Sequence, residues 1–326
     1  MNTRERFLAV MNFQPVDRLP VMEWAVWWSK TVERWQSEGL PVTDRYDIMR
    51  YFNLDINYHG WILMNTPELP PVASHGAPMI HNIDDYIKLK KYLYPAESVH
   101  LDPWDKWGCE QTTGDAAVWM TLEGFFWFPR RLLGIENHFY TFYDQPELIH
   151  MICEDMIAFY MKTLETLFRT CTPDFMSFAE DMSYNRGPMV SEDVFAEFIR
   201  PYYQRITPLL RERSVKMFVD SDGDISRLSG WFEDCGIDGF VPLERQAGTD
   251  VAQLRREHPQ YIYMGAFDKM TMNRGEAAMR AEFERLMPVA RQGGFIISCD
   301  HQTPPGVSLD DYRLYVKLFN EYARKI

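Results

Sequence analysis

From Asp174 onward the sequence falls into a rhythm that few folds can accommodate. Five short apolar runs, at residues 175–179, 215–219, 240–243, 261–267 and 295–298, alternate with stretches that carry helical punctuation. Ser191 is placed as an N-cap, with Glu192 and Asp193 in the first turn. Ile225, Leu228, Phe232 and Cys235 share one helical face that stops at Gly236. The last helix begins at Ser308 and buries Tyr312, Tyr315, Val316, Phe319 and Ala323. Near-continuous apolar strands separated by helices are the signature of a parallel sheet covered on its faces. Further strands are expected at residues 19–24, 56–61 and 117–121, and helices at 3–12, 30–38, 44–52, 84–92 and 146–169. Long loops are expected between Pro67 and Trp107, around that fourth helix. The α/β class follows, with residues 1–326 expected to form one (β/α)8 TIM barrel carrying an irregular N-terminal extension.

In the second half each apolar run ends in an acid: Glu180-Asp181, Asp220-Ser221-Asp222-Gly223-Asp224, Glu244, Asp268, and Cys299-Asp300-His301. The C-terminal strand ends of a barrel open into one mouth, which is where active sites of this fold lie. Any one of these acids is as readily explained as a helix cap, and Asp224 and Asp250 fit that role. Five in succession point to a site. Carboxylates brought together repel, so they require a metal, a cationic ligand or raised pKa values. Alternate Asp220, Asp222 and Asp224 do not make a calcium loop, because Gly223 is misplaced and Trp231 stands where the bidentate Glu belongs. Cys299 and His301 are the soft donors on offer. Cys299 reads equally as a small core residue, or with His301 and Asp220 or Glu244 as a ligand to Zn2+. Among the other histidines, including His100, none shows metal spacing, and only His59 is expected near the mouth.

The 326 residues carry 34 basic and 47 acidic side chains, a formal net charge of −13. That excess argues against nucleic acid or an anionic membrane as partner. Five widely spaced cysteines with no CxxC pair, and a charged opening Met1-Asn2-Thr3-Arg4, read as a soluble cytoplasmic protein. No P-loop, strand-to-helix GxGxxG or GxSxG elbow is present. Aromatic residues make up 15% of the chain. Trp24, Trp27, Trp28 and Trp61 are candidates for an aromatic wall suited to a quaternary ammonium or a flat macrocycle, or for plain packing of the barrel cover.

Four stretches together resemble the uroporphyrinogen decarboxylase superfamily. They are residues 4–20, opening Arg4-Glu5-Arg6-Phe7-Leu8-Ala9 and closing Asp17-Arg18-Leu19-Pro20, then Glu180-Asp181-Met182, Asp220-Ser221-Asp222-Gly223-Asp224, and Asp300-His301 through Pro304-Pro305. The superfamily includes barrel methyltransferases that move methyl groups between corrinoid proteins and thiols, and is related to cobalamin-independent methionine synthase. Two departures matter. Decarboxylases of this group carry an Arg-rich segment after the first strand; here Glu23-Trp24-Ala25-Val26-Trp27-Trp28 stands in its place. Thiol methyltransferases use a His-x-Cys pair and a later Cys for zinc; here Asp220-Ser221-Asp222 occupies the pair and only Cys299 matches the later position.

The resemblance implies a methyltransferase-type enzyme, passing a methyl group between a small methylated or cationic substrate and a corrinoid carried on a partner protein. In that reading Asp220 and Glu244 bind the metal or cation, together with Cys299 and His301 if the metal is zinc. His301 serves as ligand or general acid/base, and Glu180 or Asp181 completes the charge set. Trp24, Trp27, Trp28, His59, Trp61, Asp222, Asp268 and Asp300 contact substrate. A homodimer is a further expectation from the resemblance. Two alternatives stay open. A uroporphyrinogen-type decarboxylase, or one acting on another carboxylated substrate, predicts several Arg on the cavity walls, such as Arg130, Arg131 and Arg186. A non-enzymatic corrinoid- or ligand-binding subunit predicts no perturbed carboxylates.

Overall fold

The computed structural model describes residues 1–96 and 101–326; His100 lies outside them. Seven parallel strands form one curled sheet: β1 (Ile56–Trp61), β2 (Ala116–Glu123), β3 (Phe175–Ala179), β6 (Lys216–Asp220), β7 (Gly239–Val241), β8 (Ile262–Phe267) and β9 (Phe295–Cys299), paired in that order. A two-stranded antiparallel ribbon, β4 (Ser183–Tyr184) with β5 (Gly187–Pro188), projects after β3. The five expected runs of the second half are therefore strands, displaced by a residue or two at their ends.

The expected strand at residues 19–24 is not one. Pro20 has no N–H to give a ladder; the Leu19 N–H donates to the Ala323 carbonyl, the Val21 carbonyl accepts from the Asp55 N–H, and side chains meet other polar groups of the segment. The Val21 N–H donates to Asp55 (2.8 Å) and the Trp24 N–H to the Ser298 hydroxyl (3.1 Å). Asn57 donates its side-chain amide to the Glu23 carbonyl (2.8 Å). The segment thus bonds to both β1 and the end of β9 without forming regular pairs with either.

Strand parity divides the core in two. Trp119, Phe175, Phe218, Val241, Ile262, Met264 and Ile296 face inward and pack with Phe7, Val10 and Met11 of the helix Thr3–Met11. The intervening residues, among them Val118, Met176, Met217, Val219 and Cys299, join the larger outer cluster under the helices. Part of the N-terminal extension is thus an inner plug, fixed where the Arg4 N–H donates to the Gly114 carbonyl and the Gly294 N–H to that of Val10. The loops expected between Pro67 and Trp107 hold a second helix, Leu101–Thr113, whose Pro103 falls in the first turn where no N–H is needed. The long helix Pro146–Leu167 matches its apolar spacing. Residues 225–235 make only a short turn of helix, Leu228–Trp231, and a 3-10 turn, Glu233–Cys235. Among the described residues no helix is long and apolar enough to cross a membrane.

Candidate active site

A cavity of about 420 Å³ opens at the C-terminal ends of β1, β2, β3 and β6. Four indoles wall it: Trp24, Trp61, Trp119 and Trp127. Trp119 points inward from β2, lies flat on Phe175 (centroids 5.3 Å, 13° between planes) and donates its N–H to the Ser177 hydroxyl (2.9 Å). His59, inward on β1, stacks on the other face of the cluster against Trp119 at 3.6 Å. Trp24 is locked by its indole N–H, which donates to the Cys299 carbonyl (2.6 Å), and meets His301 edge-on at 6.0 Å.

One side of the cavity is acidic. Asp220, the last residue of β6, points inward by the same parity that buries Phe218, and lines the cavity with Asp181 and Asp222. Among the described residues nothing donates a hydrogen bond to the Asp220 carboxylate. Burial, then the charges of Asp181 and Asp222, push its pKa well above the usual carboxylate range. Burial also raises Asp181, against the hydrogen bond it accepts from the Asp222 N–H (3.2 Å). Asp181 sits in the left-handed region, φ 41°, an uncommon and costly place for a residue with a Cβ. Burial and the neighbouring Asp181 carry Asp222 up to about 7. His301 approaches Asp222 at 3.6 Å, but burial lowers its pKa, so near neutrality this is a contact of a neutral imidazole rather than an ion pair. The tight turn behind these acids depends on Gly223, φ 87°, where a Cβ would come within 2.7 Å of the Tyr184 backbone nitrogen.

Other expected site residues serve the frame. Glu180 is fully buried and does not line the cavity. It accepts the N–H groups of Phe125 (2.9 Å), Phe126 (2.8 Å) and Trp127 (3.2 Å) and the Tyr203 hydroxyl (2.5 Å), and burial still raises it to about 7. It is a positioning residue that sets Trp127 into the wall. Asp300 receives the Arg245 and Lys269 N–H groups and the Lys269 ammonium (3.3 Å). Burial raises its pKa to about 6. Asp268 caps the 3-10 turn Lys269–Arg274. Trp27 packs on Trp35 and Tyr312 in the outer core, and Trp28 is exposed outside the cavity.

The zinc set Asp220, Glu244, Cys299 and His301 does not assemble in this arrangement. Strand parity turns Cys299 into the outer core, where burial pushes its thiol well up. Glu244 is engaged by Lys269 (3.5 Å) and the Gly223 N–H (3.2 Å). Among the described residues no three His, Cys, Asp or Glu side chains are placed to share a metal ion. These donors do not fit zinc as they stand.

Several lining residues escape the sequence reading, among them Trp119, Trp127 and Arg45. Trp119 is detectable by parity within the 117–121 run; Trp127 depends on Glu180, and Arg45 on a helix register. Glu23, also overlooked, is a buried anchor that accepts from Ser298 (2.7 Å), the Cys299 N–H (3.0 Å) and Tyr315 (2.7 Å).

A curled parallel sheet with a site at its C-terminal edge defines a barrel-type enzyme scaffold. The pattern described as uroporphyrinogen decarboxylase (URO-D) matches residues 113–322, and the chain belongs to that family. Its structure is similar to that of a methyltransferase from Methanosarcina mazei, with a TM-score of 0.70 at 14% identity, covering 99% of each chain. It is more distantly similar to an L-ribulose 3-epimerase, with a TM-score of 0.42 at 9% identity over 83% of this chain and 94% of that one. No curated protein matches the chain by sequence.

Proposed function

We propose that this URO-D family enzyme is a methyltransferase, taking a methyl group from a small methylated ammonium compound and passing it to a corrinoid protein. The observation that carries this reading is the meeting of Asp181, Asp220 and Asp222 in a cavity walled by four indoles. Three carboxylates with raised pKa values are a site poised for a cation, which would take up their charge as it binds. Indole faces favour quaternary ammonium in particular. Methyl transfer breaks the C–N bond, leaves the bonding pair on nitrogen and hands over an electrophilic carbon; the corrinoid supplies the nucleophile that accepts it. This chain's own residues hold the ammonium at the carboxylates, exclude water with the indoles, and keep His301 beside Asp222 at 3.6 Å. The eighth stave of the barrel is then the segment around Val21–Trp24, which brings Trp24 to the site.

The decarboxylase of an eight-carboxylate tetrapyrrole fits the cavity less well. Arg130 and Arg131 line a neighbouring groove, where Arg130 lies over Trp127 and Arg131 pairs with Glu123. The lining itself offers one arginine against three carboxylates. A test is to mix the protein with a reduced corrinoid and a panel of methylated ammonium compounds and follow the corrinoid absorption. Methylation dependent on enzyme and lost in Asp220→Asn supports the reading; turnover of a porphyrinogen with no methylation overturns it.

A further inference from the structure

Arg45 is the odd charge in this cavity. It begins the helix Arg45–Tyr51, after Asp44, whose carboxylate is occupied by the N–H groups of Tyr46 and Asp47. Among the described residues Arg45 forms no ion pair. Its hydrogen bonds go to neutral acceptors at the long end of the range, His59 Nδ1 (3.3 Å), the Asn57 amide oxygen (3.4 Å) and the Trp24 carbonyl (3.5 Å), and it lies over the Tyr46 ring at 5.6 Å. Its Nε is buried and, among the described residues, has no partner. Arg200 and Arg255 also bury an unpartnered Nε, but neither lines this cavity. Arg18 makes a two-pronged pair with Asp55, and Arg255 donates to four backbone carbonyls. A guanidinium withdrawn from water without such partners is costly, and its planar fork is shaped for a carboxylate.

His59 completes the case. Its Nδ1 faces the guanidinium and so accepts, leaving Nε2 to donate to the Thr121 hydroxyl (2.8 Å). Burial and the Arg45 charge hold the imidazole neutral. It therefore orients Arg45 without cancelling its charge. The cavity has two poles: Arg45 beside β1, and the acids at the ends of β3 and β6, with β2 and its Trp119 between β1 and β3.

We propose that the substrate is a zwitterion, a methylated ammonium carrying its own carboxylate, with Arg45 binding the carboxylate while Asp181, Asp220 and Asp222 bind the ammonium. This rests on the preceding reading of the acidic pole. Sheet neighbours lie ~4.8 Å apart, so β3 and β6, two and three strands from β1, separate the poles by roughly 10–14 Å along the sheet before the side chains reach inward, which is why spacer length must be scanned.

The test is calorimetric titration of the full chain with tetramethylammonium and with trimethylammonio-carboxylates of increasing spacer length. Wild type is expected to bind the best zwitterion at least about tenfold more tightly than tetramethylammonium. Arg45→Gln should erase that advantage without weakening tetramethylammonium binding, Arg45→Lys should restore part of it, and Asp220→Asn should weaken both ligands. Thermal melts of each variant check that it folds. If no zwitterion outbinds tetramethylammonium, or the advantage survives in a folded Arg45→Gln, Arg45's role is overturned while the acidic pole stands. If no ammonium probe binds, the acidic pole itself is contradicted, and this proposal with it.

Discussion

Asp222 shows how the site stores its charge. Its folded pKa is raised to about 7, above the unfolded value, so its contribution to stability is present below about pH 4 and lost as pH rises through about 7. Asp222→Asn should therefore raise the melting temperature at pH 8, by roughly 2 °C for each kcal/mol relieved, and make little difference at pH 4. Scanning calorimetry at the two pH values checks it; an equal shift at both would mean packing rather than charge. Glu180 makes a different prediction. Glu180→Ala strips the acceptor from three backbone N–H groups and should cost about 3 kcal/mol or more, read as a lower denaturation midpoint. A midpoint unchanged within error would show that residues 125–127 hold themselves.

At the scale of elements, the helix Thr3–Met11 does more than begin the chain. Phe7 is fully buried and its ring meets Phe175 at 5.0 Å inside the sheet. Phe7→Ala should destabilise the fold by about 3–5 kcal/mol, measured by denaturant unfolding. A loss under about 1 kcal/mol would mean the plug is dispensable. The strands of the second half were legible because both their faces are apolar, and apolar runs survive in one dimension. Residues 19–24 misled for the same reason: Leu19, Val21 and Met22 are as buried as any strand, but the segment bonds to scattered partners, the Ala323 carbonyl, both the backbone and side chain of Asp55, and the Ser298 hydroxyl, rather than to one neighbouring strand. Cys299 and His301, two positions apart, would face together only if the strand continued through both. β9 ends at Cys299, so parity holds for the thiol and fails for the imidazole beyond it.

For the whole molecule, the acids at the strand ends were readable as a group but not in their roles. Asp181, Asp220 and Asp222 reach the cavity; Glu180, Asp268 and Asp300 turn to backbone N–H groups, and nothing in the spacing distinguishes the two sets. Arg45 was invisible because an arginine after a helix cap is ordinary until its missing partner is seen. The net charge of −13 thus has a local meaning as well as a global one. Because Asp222 is partly protonated near neutrality, cation affinity should rise several-fold from pH 6 to pH 8.

The most direct measurement is titration of tetramethylammonium into the protein near pH 7 in two buffers of different ionisation enthalpy. Binding at the carboxylates predicts heats that differ between the buffers, by an amount corresponding to release of about half a proton or more, and loss of that difference together with affinity in Asp220→Asn. Absence of binding, or binding with the same heat in both buffers and undiminished in the variant, would contradict the assignment of this cavity as a cation site.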